Sequence, residues 1–185
     1  MKIFKWLAAL VVVILLVLFV GMPYMQQQTK KHSPEKISSF QQNGLDLEVK
    51  YSSPSKKGRV IFGELVPYDL VWRTGANEPT TFTTKTDIKI IDKKLNAGTY
   101  SLWTIPGEQS WKVMFNEEIP DWGVTVLSGG KETTRDEAAD FIRVEIPVKK
   151  LSEPVENFTI DFENSKQLNL ILSWDDTQIV VPINK

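Results

Sequence analysis

From Leu45 onward the chain carries its apolar residues in period two. Leu45, Leu47, Val49 and Tyr51 alternate with Asp46, Glu48 and Lys50, the pattern of a strand with one face in a core and the other in water. Short runs rich in β-formers recur at 60–62, 70–72, 80–85, 87–91, 99–105, 111–115, 141–148, 155–162, 168–174 and 178–183. Turn chemistry separates them about every eight to twelve residues, at Ser53-Pro54-Ser55, Gly58, Gly75, Gly98, Pro106-Gly107 and Asp175-Asp176-Thr177. No helix–strand alternation is present, which excludes a parallel α/β fold. The spacing predicts an all-β domain, an antiparallel β-sandwich or jelly-roll-like barrel. A short strand is expected near Val124 to Leu127. Lys131 to Asp140 is the one stretch that reads as a helix, with Thr134 and Glu137 placed for a capping box; a charged loop is the alternative.

A second feature divides the chain. Trp6 to Met22 carries no charge, and a run this apolar approaches the roughly 20 residues of a membrane-spanning helix. A cleaved signal peptide is the rival, but Phe19, Val20, Gly21 and Met22 supply only one small residue where cleavage needs two. The expectation is one retained transmembrane helix. Lys2 and Lys5 abut it on one side, and Lys30 and Lys31 lie farther off on the other, which predicts the N-terminus inside and the bulk of the chain extracytoplasmic. Residues 23–39 are polar and without hydrophobic period and read as a flexible tether. The expected organisation is a cytoplasmic segment 1–5, an anchor 6–22, a tether 23–39 and a β-domain 40–185.

Composition removes several function classes. Past Ser39, 17 Lys and Arg stand against 22 Asp and Glu, a net charge of −5, which argues against a nucleic-acid partner. There is no cysteine, and the single histidine, His32, lies in the expected tether. Thiolate chemistry, a histidine-based triad and a histidine-based metal site are therefore not expected. Asp121, Asp136, Glu137 and Asp140 cluster loosely but match no cation-binding spacing. No cofactor, metal ligand or catalytic residue is assigned.

The densest recognition chemistry lies in Trp72-Arg73-Thr74-Gly75-Ala76-Asn77-Glu78. Arg73 and Asn77 bring donors, Glu78 an acceptor and Trp72 a stacking face; Trp103, in Thr99 to Ile105, adds another. These five residues, Trp72, Arg73, Asn77, Glu78 and Trp103, form the expected ligand face for a sugar, peptide or carboxylate. The competing reading makes them structural: Arg73 paired inside the loop, Asn77 holding a left-handed turn, Trp72 in the core.

The stretches 61–68 (IFGELVPY), 71–78 (VWRTGANE), 94–107 (KLNAGTYSLWTIPG) and 141–155 (FIRVEIPVKKLSEPV) resemble the bacterial domain of unknown function family 2911. The resemblance extends over about Leu45 to Ile183. Asn96 departs from it, standing where the family's turn is expected to hold proline. It implies an exported or membrane-attached bacterial protein and carries over no activity and no catalytic residue. The expected function is thus a membrane-anchored binding or interaction module, outside the cytoplasm, for an envelope glycan, peptide or protein. A carboxylate-dependent hydrolase of envelope glycans or peptides, and a structural component of an envelope complex, are the alternatives.

Overall fold

The computed structural model describes residues 2–125 and 128–185 and divides into two compact units, Met1–His32 and Ser33–Lys185. The first is helical. Helix α1 (Lys2–Leu16) runs through a π-helical turn at Val17–Gly21 into helix α2 (Met22–His32). Pro23 explains the turn: proline has no N–H to donate and its ring collides with the preceding turn of a regular helix. Widening by one residue, with the Met22 N–H donating to the Val17 carbonyl, accommodates it. The stretch Phe4–His32 is long and apolar enough to cross a membrane.

The second unit is built from nine strands among the described residues: β1 (Glu35–Gln42), β2 (Leu45–Ser52), β3 (Thr80–Thr84), β4 (Ile88–Ile90), β5 (Lys93–Leu95), β6 (Gly98–Ile105), β7 (Ser110–Asn116), β8 (Asp140–Asn164) and β9 (Leu168–Asn184). All neighbours are antiparallel, in the order β1-β2-β3-β6-β7-β8-β9-β4-β5. Strand β8 belongs to both layers. Its first part, to Pro147, pairs with β7, and its second, from Val148, pairs with β9. The inward faces meet in one core: Val49, Phe82, Leu102, Val113 and Val144 from one layer, and Ile160, Leu170, Leu172 and Val181 from the other. Both ends of the ribbon return to β8. On the β1 side Ser38 bonds Asp161 and Phe40 packs on Phe162, and on the β5 side Lys93 Nζ donates to the Arg143 carbonyl at 2.6 Å. The all-β antiparallel expectation therefore holds, in a sandwich partly rolled on itself.

Several local expectations need correction. The four closing strands are two long ones, because the 151–154 and Asp175-Asp176-Thr177 stretches are bulges in the β8–β9 ladder rather than turns. Val155 still pairs Asp175, whose φ of 55° takes up the bulge. Val60-Ile61-Phe62 is irregular, with Ile61 in a turn yet buried and Phe62 bridging Val66. The expected helix at 131–140 reduces to one 3-10 turn, Glu137–Ala139, capped by Asp136. Thr134 cannot cap it, because its hydroxyl bonds the Trp122 carbonyl at 2.6 Å. The short strand expected at 124–127 leaves only a Val124–Thr133 bridge, and residues 126–127 lie outside those described. The stretch read as tether is helix through His32 and strand from Glu35, so the folded unit begins at Ser33 rather than at 40. An edge strand such as β1 is held through its backbone and needs little apolar period, which is why its polar residues read as linker.

Candidate functional site

The 72–78 loop interrupts a strand. Trp72 pairs with Thr104 of β6, its N–H donating to the Thr104 carbonyl at 2.7 Å and its carbonyl accepting at 3.0 Å. Strand β3 then takes up the same edge of β6 from Thr80. Between them the chain bulges out in a conformation that residues with side chains disfavour: φ is 54° at Thr74, 145° at Gly75 and 60° at Asn77. Gly75 has no substitute here, since a Cβ would stand 2.8 Å from the Ser52 carbonyl oxygen. The loop is tied down by Thr80 Oγ1 donating to the Thr74 carbonyl at 2.6 Å and by a 3.1 Å bond between the Thr74 and Thr104 hydroxyls.

Alternation sends Trp72 and Arg73 to opposite faces of the sheet. Trp72 enters the core side, stacked on Trp174 at 6.0 Å and edge-on to Phe62, Trp111 and Phe158. Its indole N–H donates to the Gly75 carbonyl at 3.0 Å. Arg73 falls on the outer face, level with Trp103. From there a row continues across the sheet, Trp103 paired with Met114 and Met114 with Arg143. Trp103 and Met114 are both fully buried yet lie outside the main core. A second, smaller core therefore exists on the outer face, beneath the covering segment, residues 117–125 and 128–139.

Polar bonds clamp that segment. Trp103 Nε1 donates to Ser101 Oγ at 2.7 Å, which donates to the Glu118 carbonyl at 2.6 Å. Asn116 Nδ2 donates to the Asp136 carbonyl at 2.6 Å and to Asp140 Oδ1 at 2.8 Å. Arg135 grips Asp140 with two donors, and Arg143 donates to both Asp140 (2.9 Å) and Glu137 (2.7 Å). Only 5% of the Arg135 side chain and 9% of that of Asp140 are exposed. Burial opposes ionisation of Asp140, but the hydrogen bonds from Arg135, Asn116 and Arg143 outweigh it and hold the carboxyl below its usual range.

Arg73 has no such partner among the described residues. Its Nε is buried, and no described residue accepts a hydrogen bond from it. Desolvation alone pulls its pKa below the ordinary arginine value, which still leaves it charged at neutral pH. The stem is held by Gly123, where a Cβ would lie 2.4 Å from Arg73 Cδ and 2.9 Å from its Cβ. Gly123 N–H also donates to the Asn77 carbonyl at 3.0 Å, joining the loop to the covering segment.

Of the five expected ligand-face residues, four lie in the loop but do not share one face: Trp72 packs on the core side and Arg73 on the outer side. Asn77 is buried, with Nδ2 making long bonds to the Ser33 carbonyl (3.4 Å) and Ser52 Oγ (3.5 Å), and Trp72 and Glu78 are half-buried. Trp103 is beneath the covering segment and offers no open stacking face. Asp136, Glu137 and Asp140, which looked like a loose acidic cluster, face a backbone amide and two arginines. Among the described residues no three such groups are arranged to hold a metal ion. Sequence reasoning missed Gly123, Arg135 and Asn116. The available signals were the opposite charges interleaved from Arg135 to Arg143 and a glycine directly after Trp122.

No curated protein and no solved structure matches the chain. The family model described as "Protein of unknown function (DUF2911)" matches residues 33–183, the β-unit almost from end to end. It begins where the helical unit stops and includes β1, the 72–78 loop and the covering segment. The chain thus belongs to the DUF2911 family of proteins of unknown function.

Proposed function

We propose that this is a membrane-anchored binding or interaction module. The apolar helix holds it in the cell membrane, and the β-sandwich works outside the cytoplasm on an envelope glycan, peptide or protein. The ligand face is the 72–78 loop with Arg73 at its centre and Asn77 and Glu78 in the same loop, while Trp72 on the core side and the buried Trp103 support it without an open face of their own. The observation that carries this reading is the Arg73 guanidinium, whose buried Nε has no acceptor among the described residues. A charge held half out of water without a counter-charge is costly to folding, and a costly feature is retained most readily where a ligand uses it. The anchor and sidedness rest on the apolar run and on Lys2 and Lys5 beside it.

The test is retention of the full-length chain, in detergent micelles, on immobilised cell-wall glycan, its stem peptides and envelope protein fractions. The wild type is expected to be retained on one of them. Arg73→Ala is expected to lose that retention while still unfolding cooperatively. Equal retention of the variant, or a variant that does not fold, overturns the reading. Sidedness is checked by protease added to intact spheroplasts, which should cut the β-unit if it lies outside.

A further inference from the structure

We infer that Arg73 is the seat of an oxyanion, a carboxylate or phosphoryl group carried by the ligand. The inference rests on reading the 72–78 loop as the ligand face and specifies what that face recognises. The molecule contains its own control. Three arginines lie on the outer side of the sheet, and two of them are paired with carboxylates: Arg135 grips Asp140, and Arg143 bonds both Asp140 and Glu137. These carboxylates serve the covering segment. Arg73, at the other end of the row from Arg143, has a buried Nε and no acceptor among the described residues.

Guanidinium chemistry makes this a specific demand. The group keeps its charge and presents its N–H donors in a planar fork that matches the two oxygens of a carboxylate or phosphate. A neutral ligand would leave the charge uncompensated, and a cationic one would be repelled. Gly123 lies against the Arg73 stem and is itself bonded to the Asn77 carbonyl, so the stem that carries the fork is held before anything binds. A preorganised donor loses less entropy on binding than a free surface arginine.

The experiment uses full-length protein in detergent micelles, with acetate and inorganic phosphate as probes and sodium chloride at matched ionic strength as reference. Two readouts are followed: the melting temperature, and the NMR resonance of the Arg73 Nε–H. For the wild type, acetate or phosphate should raise the melting temperature saturably above the chloride reference and should shift the Nε–H resonance along the same curve. The probe that acts at lower concentration identifies the oxyanion as carboxylate or phosphoryl. Arg73→Met keeps an apolar stem against Gly123 and removes the charge. It should melt at or above the wild-type temperature without anion and lose the anion-specific rise. Arg73→Lys should bind roughly tenfold or more weakly, because a point charge replaces a fork.

The inference is overturned if the resonance does not move, if Arg73→Met retains the anion-specific rise, or if Arg73→Met melts well below wild type or fails to fold. The two proposals fail separately. Envelope retention lost in Arg73→Ala with no response to either anion sinks the oxyanion and leaves the binding module. A saturable anion response with no envelope retention keeps the oxyanion seat and sinks the envelope ligand.

Discussion

Gly123 and Trp103 show how single residues set up the arginine loop. At Gly123 the Arg73 stem occupies the volume where a side chain would be, with the Asn77 carbonyl oxygen 3.0 Å from the same point. Gly123→Ala must push a clamped loop apart, and overpacking of this kind costs about 1–3 kcal/mol. Denaturant unfolding should register that loss, and a variant as stable as wild type would mean that the Arg73 stem moves aside freely. Trp103 is the counterpart beneath the cover. It is fully buried with its N–H satisfied by Ser101, so Trp103→Ala should cost about 3–5 kcal/mol by the cavity it leaves. A small loss in the same unfolding experiment would show that the outer-face core is loosely packed.

At the scale of elements, the junction between the covering segment and β8 depends on Asp140. Asp140→Asn leaves the buried Arg135 guanidinium with only the longer 3.9 Å pair to the exposed Glu137, and loss of a buried partner typically costs up to about 3–5 kcal/mol. The pH dependence has a definite sign. The Asp140 carboxyl is held below its usual range in the folded chain. Its stabilising contribution is therefore complete above the unfolded carboxylate pKa of about 4 and is lost as pH falls below it, through the lower folded value. The acid limb of a stability–pH profile should be steeper in the wild type than in Asp140→Asn, and superimposable limbs would place the acid-sensitive group elsewhere. The same network explains why 131–140 is not a helix. Arg135 is drawn inward, Thr134 is committed to Trp122, and Asp140 already opens a strand.

At the scale of the molecule, the division at His32 separates two kinds of solvation. The stretch Phe4–His32 has none of its apolar window buried, whereas the β-unit encloses a continuous core of its own. A chain of residues 33–185 should accordingly remain in aqueous solution and unfold in one cooperative transition, followed by circular dichroism. The full-length chain should stay with membranes through carbonate extraction. Release of the full-length chain by carbonate would remove the anchor from the proposed function.

Much of the architecture was legible in linear order. The uncharged run at 6–22, the alternation at Leu45–Tyr51 and the β-rich stretch Thr99–Ile105 all appear as the elements they predicted, because helix and strand periodicity are properties of consecutive residues. Glycine at 75 was readable as a turn for the same reason. What lies over each face of β6 was not readable, because both faces are partly apolar and the cover comes from a distant, irregular segment. Nor was the solitary state of Arg73. Whether an arginine finds an acceptor depends on which distant residues the fold brings beside it, and here Glu137 and Asp140 pair with Arg135 and Arg143 instead. The sequence by itself determined an apolar helix and a set of alternating strands; only the tertiary structure decided that the Arg73 guanidinium would have a buried Nε with no acceptor among the described residues, because pairing is a matter of three-dimensional proximity rather than of order along the chain.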